Sequence, residues 1–348
     1  MARYPVTRAL AASAVLLGLA ASTTAKADPI ADFYKGKEVK ILVAFGAGGG
    51  YGIYSQLLAQ YMGNHIPGHP TLVPQYMPGA GGAKAANYLY NVSPHDGSVI
   101  ALLSNSAALA QVLQGDKLKY DASKFNYIGR LVDMRSAILV WHTAGVKTVA
   151  DMKTKTVIFG CTGTEAQDYM NPMLMKNILG LKVKIVQGYK GSKDVNLAME
   201  KGEVQAMSNS WGSVKARLHS WLDKKEAFPI AMVGMTPAPD LPNVPTPLSL
   251  ARNKADRAVL ELMASTTGVG RAFATPPGLP AARLAALRKA FKATYDDPKF
   301  QADAKKRNMD MEYMSGEAVE KMVRNTIHAP KSVVDRFEQA IELKGAHS

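Results

Sequence analysis

The chain has 348 residues, 47% of them hydrophobic, a formal net charge of +14 and one cysteine. This composition excludes a disordered or low-complexity chain, and the length suits two globular domains of ordinary size. A single cysteine excludes an intrachain disulfide, so each domain must be held together by its apolar core.

Residues 1–27 have the three parts of a secretory signal. Arg3 and Arg8 supply a positive start, residues 10–21 are apolar, and an A-x-A cleavage site ends at Ala27. The apolar part is too short for a stop-transfer helix, which makes a membrane anchor the less favoured alternative. We therefore expect a cleaved signal peptide and a mature protein in the bacterial periplasm.

Loss of the signal's Arg3, Arg8 and Lys26 lowers the formal net charge of +14 by three. The remaining positive charge would attract anionic ligands or an anionic membrane surface, although a solvated basic surface explains it equally well. Nucleic acid is not an expected partner, because an exported protein does not meet it and the basic residues are dispersed rather than clustered with aromatic ones.

Residues 39–62 predict a strand, a glycine-rich turn and a helix. The apolar run 39–45 is typical of a strand buried on both faces of a parallel sheet, and the apolar spacing after the glycines is that of an amphipathic helix. Such a unit directs unpaired backbone N–H groups and the positive end of a helix dipole to the C-terminal edge of a sheet, where an anion can bind.

Two nucleotide-binding motifs do not fit this glycine run. A dinucleotide fingerprint needs a glycine where Tyr51 stands, and an acidic residue about 20 positions later, which is missing. A Walker A loop needs a closing Gly-Lys-Ser/Thr, which is also missing. Taken alone, the run favours a tight turn without a ligand.

The alternation of strand and helix continues through two similar sets of elements. The first set has strands at 71–77 and 98–103 around a helix at 83–90, and Ser104 and Asn105 follow its last strand. The second set has strands at 127–132, 137–141, 156–160, 184–187 and 204–207 and helices at 166–179 and 193–201.

The proline-rich passage 237–247 is a candidate return crossing. Beyond it a strand is predicted at 270–275, and helices that wrap the first domain are predicted at 281–295, 298–307 and 316–341. We assign residues 28–128 and 248–348 to lobe 1, and residues 129–247 to lobe 2. Two α/β lobes whose strands end in small polar turns predict a cleft between them that suits a carboxylate or another oxyanion.

Seven segments of the mature chain carry a family resemblance: VKILVAFGAGGG (39–50), MPGAGGAKAANYLY (77–90), PHDG (94–97), KYDASKFNYIGRLV (119–132), GYKGSKDVNLAMEKGEV (188–204), PDLPNVPT (239–246) and FATPPGLP (273–280). In this order they resemble the periplasmic solute-binding receptors of tripartite tricarboxylate transporters, also called the Bordetella uptake gene family. The resemblance implies a two-lobe, type II-like α/β binding protein, with a doubly wound sheet and flanking helices in each lobe. It also implies that the lobes close on a small carboxylate and pass it to membrane permease subunits.

The resemblance further implies that the carboxylate is held by backbone N–H groups and hydroxyls of the loops between the lobes. The matching residues are Gly49, Gly50, Tyr51, Ser104, Asn105, Thr162, Gly163, Thr164, Ser208 and Asn209. Relatives commonly carry an aspartate where this chain has Gly52, and its absence argues against an amino-acid ligand. The stretch 161–165 also departs from the usual glycine–serine pattern, and Glu165 could repel a second carboxylate or cap its helix.

Several single residues have a functional and a structural interpretation. Trp211 and Tyr51 could stack on an aromatic acid or could pack between elements, and Trp211 is included among the candidate ligand contacts. Cys161, at the end of a buried strand, is expected to be an inert thiol. The histidines show no metal-ligand spacing, so neither a metal nor a cofactor is expected.

The function that these observations favour is that of a monomeric receptor without enzymatic activity. A sensor subunit for a membrane kinase would use the same site and remains an alternative. A periplasmic enzyme acting on a small acid is less favoured, because Glu165 and Asp168 are the only acidic residues near the expected loops and no nucleophile motif is present.

Overall fold

The computed structural model describes residues 1–2 and 28–342, so the predicted signal peptide lies outside the described residues. Two open sheets with flanking helices form two lobes. The chain first runs through α1 (Pro29–Tyr34), β1 (Glu38–Val43), α2 (Gly50–Tyr61), β2 (Thr71–Tyr76), α3 (Ala83–Asn91), β3 (Val99–Leu102), α4 (Ala107–Gln114) and β4 (Asn126–Arg130). No helix in the described ranges is long and apolar enough to cross a bilayer.

The middle of the chain builds the second sheet. Its elements are β5 (Ser136–Trp141), β6 (Val157–Cys161), α5 (Gln167–Asn177), β7 (Val183–Gln187), α6 (Ser192–Glu200), β8 (Ala206–Ser210), α7 (Trp211–Arg217), α8 (His219–Asp223) and β9 (Ala227–Val233). The rest of the chain adds α9 (Lys254–Ser265), β10 (Ala272–Thr275), α10 (Ala281–Asp296), α11 (Pro298–Lys306), β11 (Met314–Ser315), α12 (Gly316–Ile327) and α13 (Lys331–Ala340).

Strand pairing confirms two α/β lobes. The first sheet has the order β11-β4-β10-β3-β1-β2, with β1 parallel to β2 and β3 and the returning β10 antiparallel to β3 and β4. The second has the order β7-β6-β8-β5-β9, with β6 parallel to β7 and β8. All four residues of β3 are buried, as expected for a strand covered by helices on both faces.

The C-terminal region differs from its prediction. The helix expected at 316–341 is two helices, because Pro330 stands before α13 and proline cannot continue a helix. α12 packs on β4 and β10. α13 packs on α9, α5 and α4, and its Phe337 belongs to the apolar cluster of the second sheet. α13 therefore contacts helices of both lobes and does not wrap the first lobe alone. The lobe boundaries stay a prediction, with β4 of the first sheet extending to Arg130.

The strand expected at 204–207 also lies elsewhere. β8 runs from Ala206 to Ser210 because its backbone pairs with β5 in antiparallel register, Ser208 opposite Ile138. Ser208 and Asn209 are thus strand residues rather than turn residues. Successive strand residues face opposite sides of a sheet, so the register decides which of these side chains points towards the first lobe.

Candidate functional site: a cavity between the lobes

One cavity lies where the two lobes meet, at the C-terminal ends of β1, β3 and β6 and the N-termini of α2 and α5. It measures about 540 Å³, including the space open to solvent. Eight of the predicted contact residues line it: Gly49, Gly50, Tyr51, Ser104, Asn105, Thr162, Ser208 and Asn209. Nine further residues line it too: Phe45, Met134, Ser136, Ala166, Gln167, Asp168, Ser192, Ser210 and Arg271.

The glycine turn starts α2 at the wall of this cavity. Gly49 precedes the helix in an extended conformation without a side-chain cap, and within the described chain the N–H groups of Gly50 and Tyr51 have no hydrogen-bond acceptor. A Cβ at Gly52 would overlap the carbonyl oxygen of Ala47. Only glycine fits at this position in this turn.

Tyr51 and Asn105 form one hydrogen-bonded pair beside the helix start. The Tyr51 hydroxyl donates to Asn105 Oδ1 and accepts from the Asn105 backbone N–H, both at 3.2 Å. The Tyr51 ring packs against Phe45, with the ring centroids 4.5 Å apart. Burial raises the pKa of Tyr51, so the phenol stays neutral and acts as a hydrogen-bonding group. Ser104 lies beside them, its hydroxyl 2.9 Å from that of Ser106.

The second lobe contributes the loop after β6 and the first turn of α5. The backbone N–H and the hydroxyl of Thr162 donate to the two oxygens of Asp168, at 2.9 and 3.0 Å. Burial raises the pKa of Asp168 to about 7, although these hydrogen bonds favour the ionised form. Cys161 donates its thiol to the Asp168 backbone oxygen at 3.0 Å, and burial raises its pKa strongly, which fits the inert thiol that was expected.

Three predicted contact residues do not line the cavity. Gly163 packs against Gly81 of the first lobe, where an added Cβ would lie 2.6 Å from the Gly81 nitrogen. Thr164 is next to it, outside the cavity lining. Trp211 is 7% exposed in an apolar cluster of the second lobe, and its indole N–H donates to both Asp240 oxygens at 2.9 Å. A buried indole N–H needs a hydrogen-bond acceptor, and Asp240 supplies it. Trp211 is therefore a packing residue of the second lobe.

The two lobes touch across the cavity mouth. The Gly46 N–H donates to the Lys190 carbonyl at 3.2 Å, and the Ser106 hydroxyl donates to the Glu165 carbonyl at 2.6 Å. The Glu165 carboxylate accepts from Gln114 at 3.0 Å. Glu165 is therefore a residue of the contact between lobes and is absent from the cavity lining.

Sequence reasoning missed Arg271, which immediately precedes β10. Its side chain is 1% exposed and donates from Nη2 to Ser213 at 2.6 Å, with the Met134 sulfur 3.6 Å from Nη1. The guanidinium carbon is 4.8 Å from the ring centre of Tyr51 and 4.6 Å from that of Tyr54. A signal was present, because Arg271 is a charged residue within the otherwise uncharged strand predicted at 270–275.

Comparisons with known proteins agree with this architecture. A model of the tripartite tricarboxylate transporter family receptor matches residues 64–338. The chain is 30% identical over 166 residues to the UPF0065 protein in the TAR-I ttuE-ttuC' intergenic region of Agrobacterium vitis. That match covers 46% of this chain and 47% of the relative, so the chain spans about half the length of this curated relative.

Solved structures show the same fold at low identity. The periplasmic binding protein BugD has a TM-score of 0.70 at 20% identity, covering 88% of this chain and 98% of BugD. MatC of Rhodopseudomonas palustris, solved with malate, has a TM-score of 0.68 at 18% identity, covering 88% and 99%. An R. palustris protein solved with adipate has a TM-score of 0.68 at 18% identity, covering 87% and 97%. Because the family model spans most of the chain and these folds agree, the chain belongs to the tripartite tricarboxylate transporter receptor family.

Proposed function

We propose that this protein is a periplasmic solute-binding protein that captures a small organic carboxylate for a tripartite tricarboxylate-type transporter. The observation that carries the proposal is the start of α2, where backbone N–H groups without acceptors border a cavity between two lobes. Such N–H groups and the helix dipole stabilise an anion, and lobe closure removes it from water. Family membership and the relatives solved with adipate and malate support the same ligand class.

The ligand contacts that we propose are the eight predicted residues that line the cavity. Ten of the 17 lining residues carry a hydroxyl or an amide side chain, which can orient a polar ligand. Asp168, the acidic residue of the lining, accepts hydrogen bonds from the backbone N–H and the hydroxyl of Thr162. We infer binding without catalysis, export through a cleaved signal peptide, and delivery by a monomer to the permease subunits.

The proposal is tested by a thermal shift screen on protein that has been unfolded, dialysed and refolded to remove carried-over ligand. The panel contains acetate, succinate, malate, adipate, citrate, benzoate, amino acids, phosphate and sulfate. A ligand at 100 times its Kd adds about 2.7 kcal/mol of stability, which raises the melting temperature by several degrees.

Two variants localise the binding. Asn209→Ala removes a cavity amide whose nearest side-chain partner is the Met207 sulfur at 4.0 Å, and we expect it to reduce the shift. Thr164→Ala removes a hydroxyl from the neighbouring loop outside the cavity lining and should leave the shift unchanged. Stabilisation by no carboxylate, or by amino acids alone, would contradict the proposed ligand class.

A further inference from the structure

Arg271 is a buried cation without an acidic partner in the described chain. Its neighbours are the Ser213 hydroxyl, the Met134 sulfur and the faces of two tyrosine rings. Its Nε atom is buried and has no hydrogen-bond partner. Taking a charge out of water is costly unless the charge is paired, and aromatic faces offset only part of that cost. The buried guanidinium therefore has unsatisfied capacity to bind an anion.

Arg130, on the neighbouring strand, shows how this fold pairs a buried arginine that has a structural role. Arg130 is 2% exposed, yet its guanidinium contacts the Glu312 carboxylate at 2.9 Å and also donates to the Gly268 and Glu312 carbonyls. Ala272, next to Arg271 in sequence, pairs with Arg130 across the sheet. Two buried arginines thus lie close together, one satisfied by the protein and one lining the cavity.

The position of Arg271 coincides with the anion-binding end of α2. A Cβ on Gly50 would overlap both Arg271 Nη2 and the Ser213 hydroxyl, so the guanidinium lies directly against the first turn of this helix. The unpaired N–H groups of Gly50 and Tyr51 belong to that same turn. The full positive charge of Arg271 and the dipole of α2 therefore act on the same end of the cavity. Both attract an anion there, and the two attractions add together.

We propose that the carboxylate of the transported ligand forms an ion pair with Arg271, which makes this residue the principal determinant of affinity in the site. The inference rests on the proposed function and adds to it a charged contact where backbone and hydroxyl groups alone were expected. Arg271 is the one cationic side chain among the residues that line the cavity. It neutralises one carboxylate, so a second carboxylate on the same ligand has to be oriented towards the cavity mouth.

The test uses Arg271→Gln in the full mature protein, with Lys201→Gln as the matched control. Lys201 is exposed directly after α6, outside the cavity lining, so its replacement removes the same charge without removing the contact. Kd is measured by titration calorimetry with acetate, succinate, malate, adipate, citrate and benzoate. A hydrogen bond to a charged group predicts a 10- to 100-fold rise in Kd for Arg271→Gln, and at most a small rise for the control.

A second readout separates ligand binding from a structural role. Without ligand, the buried charge is uncompensated, so Arg271→Gln should melt at the wild-type temperature or above it. Arg271→Lys keeps the charge and should recover part of the lost affinity, although lysine lacks the planar fork. Circular dichroism of both variants checks that they are folded.

The outcomes distinguish the two proposals. If the wild type binds a carboxylate and Arg271→Gln binds it within about threefold, the ion pair is refuted and the receptor function stands. If Lys201→Gln weakens binding as much as Arg271→Gln does, long-range attraction explains the effect and the ion pair is again refuted. If the wild type binds none of the six acids, the proposed function fails, and the role of Arg271 fails with it.

Discussion

At the scale of single residues, Asp168 shows how burial and hydrogen bonding compete. Its carboxylate accepts two hydrogen bonds from Thr162, which lower its pKa, yet burial outweighs them and raises the pKa to about 7. The ordinary pKa of an aspartate in an unfolded chain is about 3.9. The native protein therefore keeps a proton that the unfolded chain releases between about pH 4 and pH 7.

This difference predicts how stability depends on pH. Since the native state binds more protons in that window, the contribution of Asp168 to the free energy of unfolding falls as the pH rises from about 4 to 7 and is constant above it. Asp168→Asn should lack this decrease and should gain on the order of 3 kcal/mol relative to wild type between pH 4.5 and pH 8. Urea unfolding of both proteins at these two pH values measures the difference.

Asp151 provides the control for this prediction. It is an exposed carboxylate whose pKa is lowered by the backbone N–H groups of Lys147 and Thr148. It is ionised in both the native and the unfolded state above about pH 5, so Asp151→Asn should not change the pH dependence between pH 5 and pH 8. Identical pH dependence in wild type and Asp168→Asn would contradict the raised pKa of the Asp168 carboxyl.

At the scale of elements, the local sequence predicts the strand, the glycine turn and the α2 helix. It does not show which glycines of the turn are sterically required. The prediction placed this unit at 39–62, and the structure has β1 at Glu38–Val43 and α2 at Gly50–Tyr61. The contact of Gly52 with the Ala47 carbonyl comes from the turn folding back on the helix. Spacing alone does not reveal that contact, because it depends on the path of the backbone.

Gly52→Ala tests the close packing of this turn. The added methyl must displace the Ala47 carbonyl and with it the turn that starts α2, so we expect a loss of about 1–3 kcal/mol in stability. Ligand affinity should fall too, since the N–H groups of Gly50 and Tyr51 move. Gly46→Ala in the same turn is the control, because its Cβ would meet the Lys190 carbonyl oxygen at an ordinary 3.6 Å. Equal stability of the two variants, measured by thermal unfolding, would refute the steric argument.

At the scale of the whole molecule, the described conformation is one in which the lobes are in contact. Gly163 and Gly81 meet at this contact, and Gly81 has a φ of +59°, a conformation that favours glycine. Two small residues at a contact between lobes let the backbones approach without a barrier from side chains. We therefore expect Gly163 to affect binding through closure of the lobes, without lining the cavity.

Gly163→Ala tests this role in closure. Its Cβ would lie 2.6 Å from the Gly81 nitrogen in the described conformation. Separation of the lobes would relieve this overlap, so we expect weaker ligand binding with little change in the melting temperature of the ligand-free protein. Small-angle scattering should show a smaller ligand-induced decrease in the radius of gyration than in wild type. Thr164→Ala, one residue away, serves as the control. Unchanged affinity in Gly163→Ala would show that the closed contact does not contribute to binding.

The sequence by itself determined the order of most strands and helices, the two α/β lobes and the turns that border the cavity. These features follow from the period of apolar residues and from glycine and proline positions, which act over a few neighbouring residues. The eight contact residues that line the cavity were implied by the family resemblance. Six of them lie in the turns and the helix start where the C-terminal ends of parallel strands meet at one edge of a sheet, whereas Ser208 and Asn209 lie within β8.

The tertiary structure decided which side chains reach that cavity. The hydrogen bond to Asp240 holds Trp211 away from the cavity, and pairing with β5 determines the bounds of β8. Pro330 determines where α13 begins, and packing on the second lobe's core determines where the helix lies. Arg271 reaches the start of α2 across more than 200 residues of chain. Each of these outcomes depends on contacts between segments that are distant in sequence, and local periodicity carries no information about such contacts.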